Sequence, residues 1–114
     1  TYTKEQLLKE IQVMHDQLYQ HYGLQPIFYT SKAFYNIVLV DEFKQTPLWI
    51  REYQSQPELK GNPKWTFWQH TSQGQIKGIP TLVDLNVFQG SEQDWISFLE
   101  RQGLYQLPQN LPIK

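Results

Sequence analysis

With 114 residues the chain has room for one small domain and a modest core, and 39% apolar against 18% charged residues suits a folded chain, not a disordered one. Its 10 Lys and Arg stand against 11 Asp and Glu, net −1 with no basic block, which argues against a surface built to neutralise nucleic-acid phosphates. No apolar run approaches the ~20 residues of a membrane-spanning helix, and the lack of cysteine excludes a disulfide scaffold or a thiolate metal site.

Thr1, not Met, opens the chain and no signal-like segment precedes the first helix, so a piece of something larger is expected. Residues 3–22 read as one amphipathic helix, with Leu7, Ile11, Met14, Leu18 and Tyr22 on a shared face. Thr3 and Gln6 fit a capping box, and Gly23 stands where a left-handed stop is wanted. His15 and His21 lie six apart, not a shared-face spacing, and read as solvated helix histidines instead of a metal pair.

Pro26 opens a short apolar run, Ile27 to Thr30, expected as a buried strand. Thr30 or Ser31 then caps a second helix through Phe34, Tyr35, Ile37 and Val38, the grammar of a βα unit. A second strand is expected over Leu48–Tyr53, followed by a turn-rich loop from Ser55 to Pro63. Trp65–His70 alternates, Ser72-Gln73-Gly74 reads as a turn, and Gln75–Ile79 returns as the second arm of a hairpin. Leu82–Phe88 makes the last strand. Ser91 and Asp94 cap a final helix carrying Trp95, Phe98 and Leu99 and stopped by Gly103, and a tail with Pro108 and Pro112 follows. This order matches the back half of a βα barrel whose late strands have lost their helices, in a chain far below the ~250 residues of a whole barrel.

The last strand carries the sharpest chemical signal. Alternation places Leu82, Asp84, Asn86 and Phe88 on one face and Val83, Leu85 and Val87 on the other, so a carboxylate and an amide stand side by side. A charge within a sheet is costly unless paired. Asp84 therefore reads either as a functional carboxylate or as a structural one bonding a nearby turn or helix end. In Trp65–His70, Trp65, Phe67 and Gln69 share one face, and Thr66, Trp68 and His70 the other. Aromatic faces beside amides suit a sugar ring, although Trp65 and Phe67 read equally as core. His70 is a possible general base, set near a turn where a lone His commonly carries no chemistry. Ser31 and Ser72 have no His and carboxylate around them, Glu52 beside Arg51 reads as a solvated charge, and no phosphate-cradling glycine motif occurs. No metal or cofactor is expected.

Four segments in order resemble a known family: Pro26-Ile27-Phe28-Tyr29-Thr30-Ser31 with Phe34-Tyr35, Pro47-Leu48-Trp49-Ile50, Trp65-Thr66-Phe67-Trp68-Gln69-His70, and Val83-Asp84-Leu85-Asn86-Val87-Phe88. Together, over residues 5–100, they resemble the C-terminal half of glycoside hydrolase family 25, lysozymes that cleave peptidoglycan between N-acetylmuramic acid and N-acetylglucosamine. The resemblance implies an α/β fold, the C-terminal portion of an irregular (β/α) barrel in which five strands alternate with helices and three do not. It implies that residues 1–103 form that half barrel and 104–114 a Pro-containing tail. It maps an active-site aspartate onto Asp84, and substrate-binding positions onto Tyr29, Trp49, Trp68, Gln69 and Asn86.

One departure is decisive. The family's Asp-x-Glu strand end, which supplies the proton donor, is absent from this chain, and glycosidase chemistry needs a protonated carboxyl opposite a second group. The resemblance thus implies an enzyme for the parent protein and an inactive fragment for this chain alone. The alternative is a non-catalytic carbohydrate- or peptidoglycan-binding module, or a structural remnant of such a barrel. Expected partners are peptidoglycan glycan strands, and either the missing N-terminal half or a second copy covering open edges. The expected location is extracellular or at the cell envelope.

Overall fold

The computed structural model describes residues 1–104, so the expected tail lies, from residue 105 on, outside the described residues. Helix α1 spans Lys4–Tyr22. Its capping box is closed in both directions: Gln6 N donates to Thr3 Oγ1 at 3.1 Å, and Thr3 N donates to Gln6 Oε1 at 2.9 Å. Gly23, at φ 69°, ends the helix and donates to the Tyr19 carbonyl at 2.8 Å. The inward stripe is not the one expected. Leu7, Leu8, Ile11 and His15 are half-buried, whereas Met14 and Tyr22 are exposed, because α1 meets the rest of the chain through its first half. His15 is accordingly no solvated histidine. Its side chain is 15% exposed, and its ring lies 6.0 Å from both Phe28 and Phe43.

Strand β1 (Phe28–Ser31) runs into a helix capped by Ser31, whose Oγ accepts from Phe34 N at 3.1 Å. That helix, α2 (Lys32–Phe34), continues at once as a π-helix over Tyr35–Leu39. The wider turn brings Tyr35, Val38 and Leu39 together into the core, which an ordinary 3.6-residue reading does not anticipate. Strands β2 (Leu48–Arg51), β3 (Phe67–Gly74) and β4 (Val83–Phe88) follow, then helix α3 (Glu92–Arg101). A second complete capping box, Ser91 with Asp94, starts α3.

The hairpin differs from the expected one. Ser72, Gln73 and Gly74 do not turn but remain in β3, and the returning arm is β4, not 75–79. Gly74 is needed for close approach: a Cβ there would lie 2.4 Å from Leu85 Cγ. Two register slips, between Gln69 and Thr71 and between Thr71 and Gly74, absorb the extra β3 residues opposite β4.

The sheet order is β1-β2-β3-β4, the first two pairings parallel and the third antiparallel. One face carries Leu48 and Ile50, which pack with Tyr35, Val38, Leu39, Leu59 and Trp65. Phe28 and Trp68 pack against this cluster too. Trp65 therefore does not share a face with Phe67 and Gln69: the strand begins at Phe67, and Trp65 turns into the core before the alternation starts. The opposite face carries Tyr29, Trp49, Phe67 and Gln69. Helix α3 covers only the N-terminal end of the parallel strands on that side, where Phe67, Phe88, Trp95 and Phe98 meet with ring centroids 5.1–6.1 Å apart. The upper part of this face, toward the C-terminal ends of β1–β3, is left open.

Candidate functional site

The register dictates what gathers on the open face. Tyr29, Trp49 and Phe67 are partners across β1, β2 and β3, and Gln69 lies opposite Asn86 on β4. Two hydrogen bonds then cross a strand each. The Tyr29 hydroxyl donates to Gln69 Oε1, reaching over β2. The Trp49 indole N–H donates to Asn86 Oδ1 at 2.8 Å, reaching over β3. The Tyr29 and Trp49 rings meet edge to face at 4.9 Å. Gln69 is 3% exposed, a polar side chain that stands buried in the sheet because Tyr29 satisfies it.

Asp84 shares the Asn86 face by alternation and lies toward the C-terminal ends of the parallel strands, where β3 slips against β4. It is exposed, and no hydrogen bond or ion pair reaches its carboxylate among the described residues. Among the described residues no turn or helix end bonds it, as a purely structural carboxylate would require. Asp84 is also the single carboxylate in the four strands.

The structure brings Tyr29, Trp49, Gln69 and Asn86 together and places Asp84 on their side of the sheet. Trp68 is the correction. It lies on the core face, its ring 6.1 Å from Trp65 and its Nε1 donating to the Glu52 carbonyl at 2.7 Å, so it cannot line this surface. The segment's alternation already separated Trp68 from Gln69. His70 follows Trp68, with ring centroids 5.5 Å apart. The Glu52 carboxylate accepts from Gln54 N at 3.0 Å and is held by its own turn. Arg51, to which the sequence reading gives no role, is in register with Gln69 and so shares the open face. The alternation of buried Leu48 and Ile50 with Trp49 and Arg51 carries that signal. Among the described residues no group of three or more His, Cys, Asp or Glu could hold a metal ion, and no helix is long and apolar enough to cross a membrane.

An open sheet face with two aromatic rings, two oriented amides and one free carboxylate suits a sugar ring, whose C–H faces stack on aromatics while its hydroxyls meet amides. The model of glycosyl hydrolases family 25 matches residues 1–79, a span that includes Tyr29, Trp49 and Gln69 and ends before Asp84. The uncharacterized protein YegX of Escherichia coli K12 is 38% identical over 79 residues, 68% of this chain and 29% of its own length. Lysozyme M1 of Streptomyces globisporus is 39% identical over 49 residues, 41% of this chain and 17% of its own. A family 25 glycosyl hydrolase from Bacillus anthracis superposes with a TM-score of 0.76 at 36% identity, over 82% of this chain and 45% of that one. A bacterial lysozyme from Streptomyces coelicolor shares the fold, with a TM-score of 0.73 at 21% identity over 91% and 49% of the two chains. The chain thus spans under a third of these curated relatives and under half of these solved ones. Over the part it does span, sequence and sheet agree, and this chain belongs to glycosyl hydrolases family 25.

Proposed function

We propose that this chain supplies the Asp84-bearing, C-terminal half of an irregular βα barrel that hydrolyses peptidoglycan between N-acetylmuramic acid and N-acetylglucosamine, outside the cell or at its envelope. The convergence of Tyr29, Trp49, Gln69 and Asn86 on one open face, with the unpaired Asp84 above them, supports this reading. Barrel enzymes place their chemistry at the C-terminal ends of the parallel strands, the end toward which Asp84 lies.

In this reading the glycan lies over Tyr29 and Trp49. Gln69 gives its oxygen to Tyr29 and keeps its amide N–H groups for a sugar substituent. The Trp49 indole holds Asn86 in one orientation beside the scissile bond. Asp84 stabilises the positive charge that develops on the sugar ring in the transition state. Glycoside hydrolysis also needs a protonated carboxyl at the leaving oxygen, and among the described residues the strands hold one carboxylate. The proton donor therefore comes from the part of the barrel that this chain does not span, and the chain alone binds glycan without cleaving it.

Joining the chain to the portion of the Bacillus anthracis relative that it does not cover provides the test. Asp84→Asn in that protein is expected to lower kcat by on the order of 10² or more with the melting temperature unchanged. A lower melting temperature with kcat intact would make Asp84 a structural residue.

A further inference from the structure

The four strands hold one lysine or arginine, Arg51, and one aspartate or glutamate, Asp84. Both fall on the open face, toward the C-terminal ends of the parallel strands. They do not pair. Strand β3 lies between theirs, so two strand spacings, about 10 Å, separate them. Among the described residues the one ion pair within 4 Å is His15 with Asp16.

Arg51 is exposed at the end of β2, in register with Ser31 on one side and Gln69 on the other. Its side chain lines the groove along β1 with Tyr29, Thr30 and Ser31, and no Asp or Glu lines that groove. The adjacent Glu52 carboxylate is held in its own turn, where it accepts from Gln54 N at 3.0 Å. The open face thus has a cation at its β1 side and a carboxylate at its β4 side. Trp49 and the amides of Gln69 and Asn86 stand between them.

Opposite charges at the two sides of one binding face give it a direction. A carboxylate on the ligand is drawn to Arg51, whose planar fork can meet it with two N–H donors, and is repelled by Asp84. We infer that Arg51 is a specificity-determining residue of this face and holds a carboxylate carried by a substituent of the bound glycan. The inference rests on the reading of the open face as the glycan site. In a chain that alternates N-acetylmuramic acid with N-acetylglucosamine, only the muramic acid bears such a group. It is the lactyl carboxylate or, where a peptide extends the lactyl group, the carboxylate of that peptide. Arg51 thereby tells the two sugars apart and sets which of them lies at its side of the face.

The test is an NMR titration of the 114-residue chain with four tetrasaccharides, read at the Trp49 indole N–H and the Arg51 amide. One is the neutral N-acetylglucosamine tetramer. The others alternate N-acetylglucosamine with N-acetylmuramic acid whose lactyl group is a free carboxylate, a carboxamide, or extended by a dipeptide ending in a carboxylate. One or both anionic glycans are expected to bind about tenfold tighter than the carboxamide. That margin is expected to shrink as salt is added. Which of the two binds tighter distinguishes a lactyl from a peptide carboxylate. Arg51→Gln is expected to remove the margin and leave affinity for the neutral tetramer unchanged, and Arg51→Lys to keep part of it. Arg51 is exposed, and an unchanged circular dichroism spectrum confirms that the variants are folded. Equal binding of the anionic and carboxamide glycans overturns the role of Arg51 and leaves the glycan face standing, as does a margin that survives in folded Arg51→Gln. No shift of the Trp49 indole with any of the four overturns the glycan face, and the role of Arg51 with it.

Discussion

Tyr29 and Gln69 test what a single hydrogen bond does in this sheet. Gln69 is buried, and the Tyr29 hydroxyl is the donor to its Oε1. Tyr29→Phe keeps the ring and leaves that oxygen unpaired, which is expected to cost about 1–3 kcal/mol in urea denaturation. Asp84 has no hydrogen-bond or ion-pair partner among the described residues, so Asp84→Asn is expected to shift stability by no more than about 0.5 kcal/mol. That contrast separates a residue that holds the fold from one poised for chemistry, and equal losses from the two substitutions would contradict it. At this scale two-residue alternation was a sound guide, since it paired Asp84 with Asn86 and Phe67 with Gln69. It fails at Trp65, where the strand has not yet begun, and at Trp68 it places the ring on the face opposite Gln69, against the role that the family resemblance implies. His15 departs from its expected solvated setting for a different reason. Its packing against Phe28 and Phe43 depends on loop residues distant in sequence, Phe43 among them at φ 51°.

Among the elements, the helix starts were the most legible because their signals are local. Thr3 with Gln6 and Ser91 with Asp94 close as capping boxes, both visible as residue types three apart. The Ser91 backbone N–H, and then its hydroxyl, hold the Asp94 carboxyl below the ordinary aspartate range. A carboxyl lowered in the folded state contributes stability above its unfolded value and loses it as pH falls through its folded value. The first turn of α3 is therefore expected to stay ordered at neutral pH and to loosen only below the ordinary aspartate range. The amide shifts of Ser91 and Asp94 report this, and a transition near neutral pH would contradict it. The π-helix and the length of β3 were not legible, since both are set by tertiary contact. Gly74 looks like a turn residue in sequence, yet its function is to let Leu85 approach. Gly74→Ala is expected to cost about 1–3 kcal/mol through that clash, as measured by thermal unfolding. A neutral outcome would mean that Leu85 moves aside freely.

For the whole molecule, the sheet is left open at both ends. Among the described residues β1 pairs only with β2, and β4 only with β3. The groove along β1 is lined by Ile11, Met14, Ile27 and Phe34, most of them exposed. Free edges beside apolar surface recruit another chain, so the isolated chain is expected to self-associate with rising concentration in light scattering. A monodisperse monomer at millimolar concentration would show that the edges close without a partner. In the family reading those edges receive the strands that this chain does not span, and the proton donor arrives with them. The most direct test is release of reducing ends from peptidoglycan by the 114-residue chain alone, beside the same chain joined to the uncovered portion of the Bacillus anthracis relative. The expected result is no turnover by the chain alone and turnover by the joined protein that Asp84→Asn lowers by on the order of 10² or more. Asp84-dependent turnover by the isolated chain, or a folded joined protein whose activity ignores Asp84, would contradict the account.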